Sequence, residues 1–152
     1  MALALPAAAQ ARLHIRPGGY GENASEVTFK SSTEEYSNGA VNINVAKNGR
    51  TITRIGVACY TGATPTAGLP AYDEVTIIVP RHLAISSSGA FSFSGPVTLT
   101  PEETQSELTV TTTYTIKGRF QNGKIAATGT DSSPICQPTT VTHFRLHFDP
   151  DA

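Results

Sequence analysis

The chain has 152 residues, enough for one domain with a core of its own. Only 15% of the residues are charged, against a usual ~25%, and the formal net charge is −1. No cluster of Lys or Arg is visible along the chain, so a nucleic-acid partner is not expected, and no apolar stretch approaches the ~20 residues of a membrane span.

Residues 2–11, Ala-Leu-Ala-Leu-Pro-Ala-Ala-Ala-Gln-Ala, read as the tail of a secretory hydrophobic region ending in an A-x-A cleavage site, Ala9-Gln10-Ala11. The positive region that opens a signal peptide is missing. The expectation is a signal-peptide remnant or flexible N-terminus over 1–11, a mature start near Arg12, and a single β domain over 12–152. The protein is then expected to be secreted or held at the cell surface. The two cysteines agree, because an even count in an exported chain suggests a bridge, here Cys59 to Cys136. Closing a loop of that length stabilises by about 4–5 kcal/mol in the chain-entropy treatment.

Abundant Thr, Ser, Gly and Pro suit short strands and tight turns rather than helices. Glu26 to Ser31 alternates, with Val27 and Phe29 on one face. Val41, Ile43 and Val45 alternate with Asn42 and Asn44, the mark of a half-buried strand. Asn48-Gly49 then signals a hairpin. A two-residue loop would set Ile43 against Arg54. A three-residue loop, Lys47-Asn48-Gly49, changes the parity and pairs Val41 with Ile55, with Gly49 in the left-handed region. The second form is expected, because Ile55, Val57 and Cys59 make the better apolar face.

Tyr60 to Tyr72 is a Thr/Gly/Pro/Ala loop without periodicity, a length that in a compact domain is often functional. Glu74 to Val79 is an apolar, β-branched strand stopped by Pro80. Leu83–Ser86 and Ala90–Ser94 read as short strands joined by Ser87-Ser88-Gly89, with Phe91 and Phe93 on one face. Ser106 to Phe120 carries the clearest signal. Leu108, Val110, Thr112, Tyr114, Ile116, Gly118 and Phe120 share one face, and Thr, Lys117 and Arg119 fill the other. Asn122-Gly123 closes a two-residue hairpin that pairs Phe120 with Ile125 and Gly118 with Ala127. In the last strand, Val141 to Phe148, Phe144, Leu146 and Phe148 face one way and His143, Arg145 and His147 the other. Strands at this spacing predict an all-β fold: an antiparallel β-sandwich, jelly-roll or Ig-like, with a barrel as the alternative.

Several segments together are similar to a loosely defined group of small exported actinobacterial proteins of unknown function. They are Val57-Ala58-Cys59, Gly89-Ala90-Phe91-Ser92-Phe93-Ser94-Gly95, the hairpin from Gly118-Arg119-Phe120 through Gly123 to Gly129-Thr130, and Cys136. The likeness covers roughly residues 40–148. Where such proteins often show a Gly-rich segment and an aromatic after the second Cys, this chain has Gln137-Pro138-Thr139-Thr140. The resemblance implies an exported β-sandwich with one disulfide and brings no catalytic residues.

The residues point to no catalytic, metal or cofactor site. His143 and His147 would share a helix face, but on a strand they stand ~13 Å apart and cannot chelate one ion together. His14 and His82 are isolated. Ser86-Ser87-Ser88-Gly89 is a turn rather than a nucleophile elbow, and Asp131-Ser132-Ser133 is a weak calcium signal better read as a turn. The acid pairs Asp73-Glu74 and Glu102-Glu103 would need a converging partner, such as Glu107 or Asp131, to act as a glycosidase. The most suggestive feature is Tyr60 and Tyr72 bounding a loop that runs into Asp73-Glu74. Aromatic faces beside carboxylates suit sugar recognition; the competing reading is that both rings anchor the loop ends. The sequence thus favours an exported, non-enzymatic domain that binds an extracellular glycan or surface protein. The alternatives are a subunit that self-associates through strand edges and a small secreted hydrolase.

Overall fold

The computed structural model describes residues 13–21, 27–30, 35–36, 40–65, 68–71, 73–79, 82–99, 109–132, 135 and 141–151. At 27–30, 35–36, 40, 60, 141 and 142 only the backbone is described. Residues 1–11 and Cys136, where the leader and half of the bridge are expected, lie outside the described residues.

The strands are β1 (Gly18–Gly21), β2 (Val27–Lys30), β3 (Glu35–Tyr36), β4 (Ala40–Val45), β5 (Thr51–Tyr60), β6 (Glu74–Val79), β7 (Leu83–Ala84), β8 (Ala90–Leu99), β9 (Val110–Gln121), β10 (Lys124–Asp131) and β11 (Val141–Phe148). There is no helix among the described residues. All pairings among the described strands are antiparallel; eight strands follow one another in the order β6-β5-β4-β1-β11-β10-β9-β8, with β2 paired to β11 and β3, and β7 to β5, off that path. The two ends of that order, β6 and β8, lie against each other, so the sheet is nearly closed. The all-β expectation holds, in its barrel form. Closure suits eight strands, whose interior is just wide enough to be filled by side chains. Here it is filled by one face of every long strand, including Ile43, Ile55, Ile77, Leu99, Ile116, Ile125 and Leu146. Each such side chain contributes about 1.5–3 kcal/mol by leaving water.

The β9–β10 hairpin forms as its sequence predicts. Phe120 faces Ile125, Gly118 faces Ala127, and Asn122 and Gly123 take φ of 52° and 73°. The β4–β5 hairpin differs from expectation. Val41 faces Val57 and Ile43 faces Ile55, not Val41 with Ile55. The turn uses four residues, since Ala46 N–H donates to Thr51 O at 2.8 Å, and the register shifts between Asn44 and Val45 so that Thr53 is the extra residue. The bulge restores the parity, and Ile52, Ile55 and Val57 all point inward. Gly49 is left-handed as expected, with φ of 64°. A Cβ there would come within 2.7 Å of the carbonyl oxygen of Ile15, a buried residue of the 13–17 segment, which crosses this end of the barrel.

β8 runs past its expected end at Ser94, through Gly95-Pro96 to Leu99. Pro96 is tolerated because, among the described strands, β8 has a ladder with β9 alone, so its lost N–H breaks no ladder on the other side. β7 pairs with β5, not with β8. Beneath the 13–17 segment, Tyr20 makes edge contacts with Phe120 and Phe148 at 5.4 and 5.6 Å. Its hydroxyl donates to Arg16 O at 2.9 Å, and the Arg16 guanidinium lies 3.6 Å over the Phe148 ring.

Candidate functional site

The barrel has two ends. One gathers the β4–β5 and β9–β10 turns, the Ser86–Gly89 turn and the 13–17 segment. The other gathers the end of β5, the start of β6, the 61–73 loop and Asp131.

The aromatic–acid site expected at the second end is described only in part. Tyr72 lies outside the described residues, as does the side chain of Tyr60. The β5–β6 register brings Tyr60 directly opposite Glu74. Glu74 is exposed and Asp73 half-buried. Asp73 Oδ1 accepts the Glu74 N–H at 3.0 Å. The loop is pinned from within by Thr61, only 2% exposed, whose hydroxyl donates to Pro70 O at 2.7 Å and accepts the Asp73 N–H at 2.8 Å. Thr61 N–H also donates to Asp73 O at 2.8 Å. Leu69 is buried beside it. The Asp73 backbone is therefore held by Thr61 of the loop, whereas the Glu74 side chain is exposed at its edge.

Inside the same end, Thr112, Tyr114 and Asp131 are the polar side chains of β9 and β10 that face the core. Asp131 and Tyr114 are cross-strand neighbours. Asp131 is 6% exposed; burial pushes its carboxyl up to about 7, opposed by the Ile135 N–H, which donates to Oδ1 at 3.2 Å. The Tyr114 phenol is raised far above its ordinary value, first by burial and then by the nearby Asp131 charge. Neither the Tyr114 nor the Thr112 hydroxyl has a hydrogen-bond partner among the described residues. Asp131 is thus a core carboxyl, not an arm of a calcium turn. Glu102, Glu103 and Glu107, its suggested partners in acid–base work, lie outside the described residues.

The outer surface of β8–β11 carries what the sequence reading missed. The register sets Lys117, Thr128 and His143 in one row, Arg119, Ala126 and Arg145 in the next, and Gln121, Lys124 and His147 in the third. Lys117, Arg119, Lys124 and Arg145 are all exposed, and these strands hold no acid except Asp131, which points inward. Two-residue steps and strand spacings put Lys117 ~6.6 Å from Arg119, and Arg119 ~10 Å from Arg145. Hydroxyls continue the same face beyond Lys117, with Ser94–Thr115 and Thr98–Thr111 contacts of 3.0 and 3.1 Å, and Thr128 stands between Lys117 and His143, its Oγ1 3.2 Å from His143 Nδ1. The scarcity of Lys and Arg runs along the chain does not carry over to the surface. Alternation assigned Lys117 and Arg119, and separately His143 and Arg145, to outer faces. The β10–β11 register that unites them follows a connection of undefined pattern.

Two depressions flank this face at the turn end. A cleft between the 13–17 segment and the β4–β5 turn is lined by His14, Lys47 and Arg50 with Ser86 and Ser87. A groove between the His82–Ser86 stretch and β9 is lined by His82, Ser92, Lys117 and Arg119. Among the described residues no group of three or more His, Cys, Asp or Glu gathers to hold a metal ion, and no helix is long and apolar enough to cross a membrane. No family model, curated protein or solved structure matches the chain.

Proposed function

We propose that this chain is an exported, non-catalytic binding domain that recognises an anionic extracellular partner through the outer face of β8–β11. The observation that carries the reading is the gathering of Lys117, Arg119, Lys124 and Arg145 on one hydroxyl-rich sheet face. Exposed cations on a rigid sheet attract an anionic partner over a Debye length and lose that attraction in salt. The filled barrel interior directs recognition to the outside and the ends. Export draws support from Cys59, which is 1% exposed and no free thiol, and whose proposed bridge to Cys136 would tie β5 to the segment entering β11. Alkylation under denaturing conditions without reductant should then add no mass.

Less supports the alternatives. The outer edge of β8 carries Pro96 and lies against β6, which leaves little edge for a second copy. A hydrolase would need converging acids, yet among the described residues Asp131 is inside the barrel and the Asp73 carboxyl accepts the N–H of its neighbour Glu74.

The test is depletion of the purified chain by insoluble cell walls and by acidic and neutral polysaccharide beads. Lys117→Glu/Arg119→Glu and Tyr60→Ala/Tyr72→Ala variants run in parallel. Salt-sensitive depletion by the acidic materials, lost in the charge-reversed variant, is the expected result. Depletion that is equal on neutral beads, or lost only in the Tyr variant, would overturn the reading and return the site to the 61–73 loop.

A further inference from the structure

We infer that the partner is an acidic polysaccharide and that it runs in a continuous track from Lys47 and Arg50, over the Ser86–Gly89 turn, to Lys117 and Arg119. The inference rests on the anionic-partner function proposed above and adds a path and a ligand class.

The cleft at Lys47 and Arg50 and the groove at Lys117 and Arg119 share Ile85 and Ser86, so the two depressions meet. Among the described residues neither lining contains an acid. The backbone fixes the span. Arg50 O accepts the Ile85 N–H at 2.8 Å, Ser86 N–H donates to Ala90 O at 2.9 Å, and Ala90 faces Arg119 across the β8–β9 ladder. Three strand spacings make about 15 Å between the two pairs of cations. No single small anion reaches both, whereas a polymer with acidic groups along its length does. Between the pairs lie hydroxyls: Ser86 Oγ and Ser88 Oγ are 3.0 Å apart on the turn, and Ser92 borders the groove. Cations at both ends and hydroxyls between match a chain of sugar rings bearing carboxylate or sulfate. They do not match single-stranded nucleic acid, which is held by bases stacked on exposed rings. The aromatic side chain at this groove, Phe91, is 4% exposed.

The experiment measures binding of the full chain to polygalacturonate and heparin, with dextran and a single-stranded oligonucleotide as controls. Two variants are compared: Lys47→Gln/Arg50→Gln in the track, and Lys124→Gln/Arg145→Gln on the same sheet face but away from it. All four side chains are exposed, and circular dichroism verifies that both variants stay folded. The expected result is binding to one or both acidic polymers, weakened about tenfold by the track variant and by a smaller factor, through lost long-range attraction, by the other. Loss confined to Lys124→Gln/Arg145→Gln would overturn the track while leaving the anionic-partner function standing. Tighter binding to the oligonucleotide would overturn the polysaccharide. Absence of binding to any acidic polymer would overturn both the track and the function beneath it.

Discussion

The Tyr114 hydroxyl occupies the space that a Cβ at residue 129 would take, so the glycine of β10 and the tyrosine of β9 form one packing unit. Gly129→Ala should force the ring aside and destabilise the fold by about 1–3 kcal/mol, as overpacking does. Urea titration of the single variant and of Gly129→Ala/Tyr114→Phe should show coupling of at least ~0.5 kcal/mol, because removal of the hydroxyl relieves part of the clash. Simple additivity would mean that the two residues do not compete for this space.

The same hydroxyl lacks a hydrogen-bond partner among the described residues, as does that of Thr112. Replacing an unsatisfied buried hydroxyl by an apolar group of equal shape removes a desolvation cost of about 1–3 kcal/mol. Tyr114→Phe and Thr112→Val should therefore be neutral or stabilising in denaturant titrations. A loss above ~1 kcal/mol in either would reveal a hydrogen bond of ordinary strength at that site.

Asp131 should give stability an unusual pH dependence. Its folded value, about 7, lies above the ordinary 3.8, so the folded state holds the proton more tightly than the unfolded chain. Stability from this group is fully present below about 4, falls as pH rises through about 7, and is flat beyond. The change is on the order of 2–4 kcal/mol. Asp131→Asn should flatten this slope and still accept the Ile135 N–H. Thermal melts across that window test it, and a slope that survives the substitution would place its origin in another group.

Thr61→Val should loosen the 61–73 loop. The change leaves Pro70 O without its donor and the Asp73 N–H without its acceptor, at a cost of about 1–3 kcal/mol for each group that water cannot reach. Amide exchange in 61–73 should accelerate while strands β9 and β10 remain protected. Unchanged exchange at Asp73 would show that Thr61 does not pin the loop.

What could be read from the sequence was local. The alternation from Val110 to Phe120 and the Asn122-Gly123 turn fixed a face and a register within one stretch of chain, and both appear as expected. Thr53 could not be recognised as a bulge, because the same residues are compatible with either loop length until β5 must also meet β6. Gly95-Pro96 reads as a strand breaker in any window, and only the position of β8 at the end of the ladder order excuses it. Barrel closure depends on β1 lying between β4 and β11, a contact between the two ends of the chain that no periodicity announces. The same holds for the candidate site. Lys117 and Arg145 come from strands whose faces were legible singly, while their meeting across β10 was not.

The cation-bearing face has an electrical consequence for the whole molecule. Strands β8–β11 take four of the eleven Lys and Arg residues and one of the twelve acids, leaving seven cations against eleven acids for the rest. A molecule with a net charge of −1 then presents a locally positive face to its surroundings. Near an anionic surface it feels torque before it feels net attraction, and it turns β8–β11 inward. On an ion exchanger it should be held by sulfonate resin at pH values where its net charge predicts flow-through. Its behaviour at a cell wall would be governed by orientation, which neither its isoelectric point nor its composition discloses.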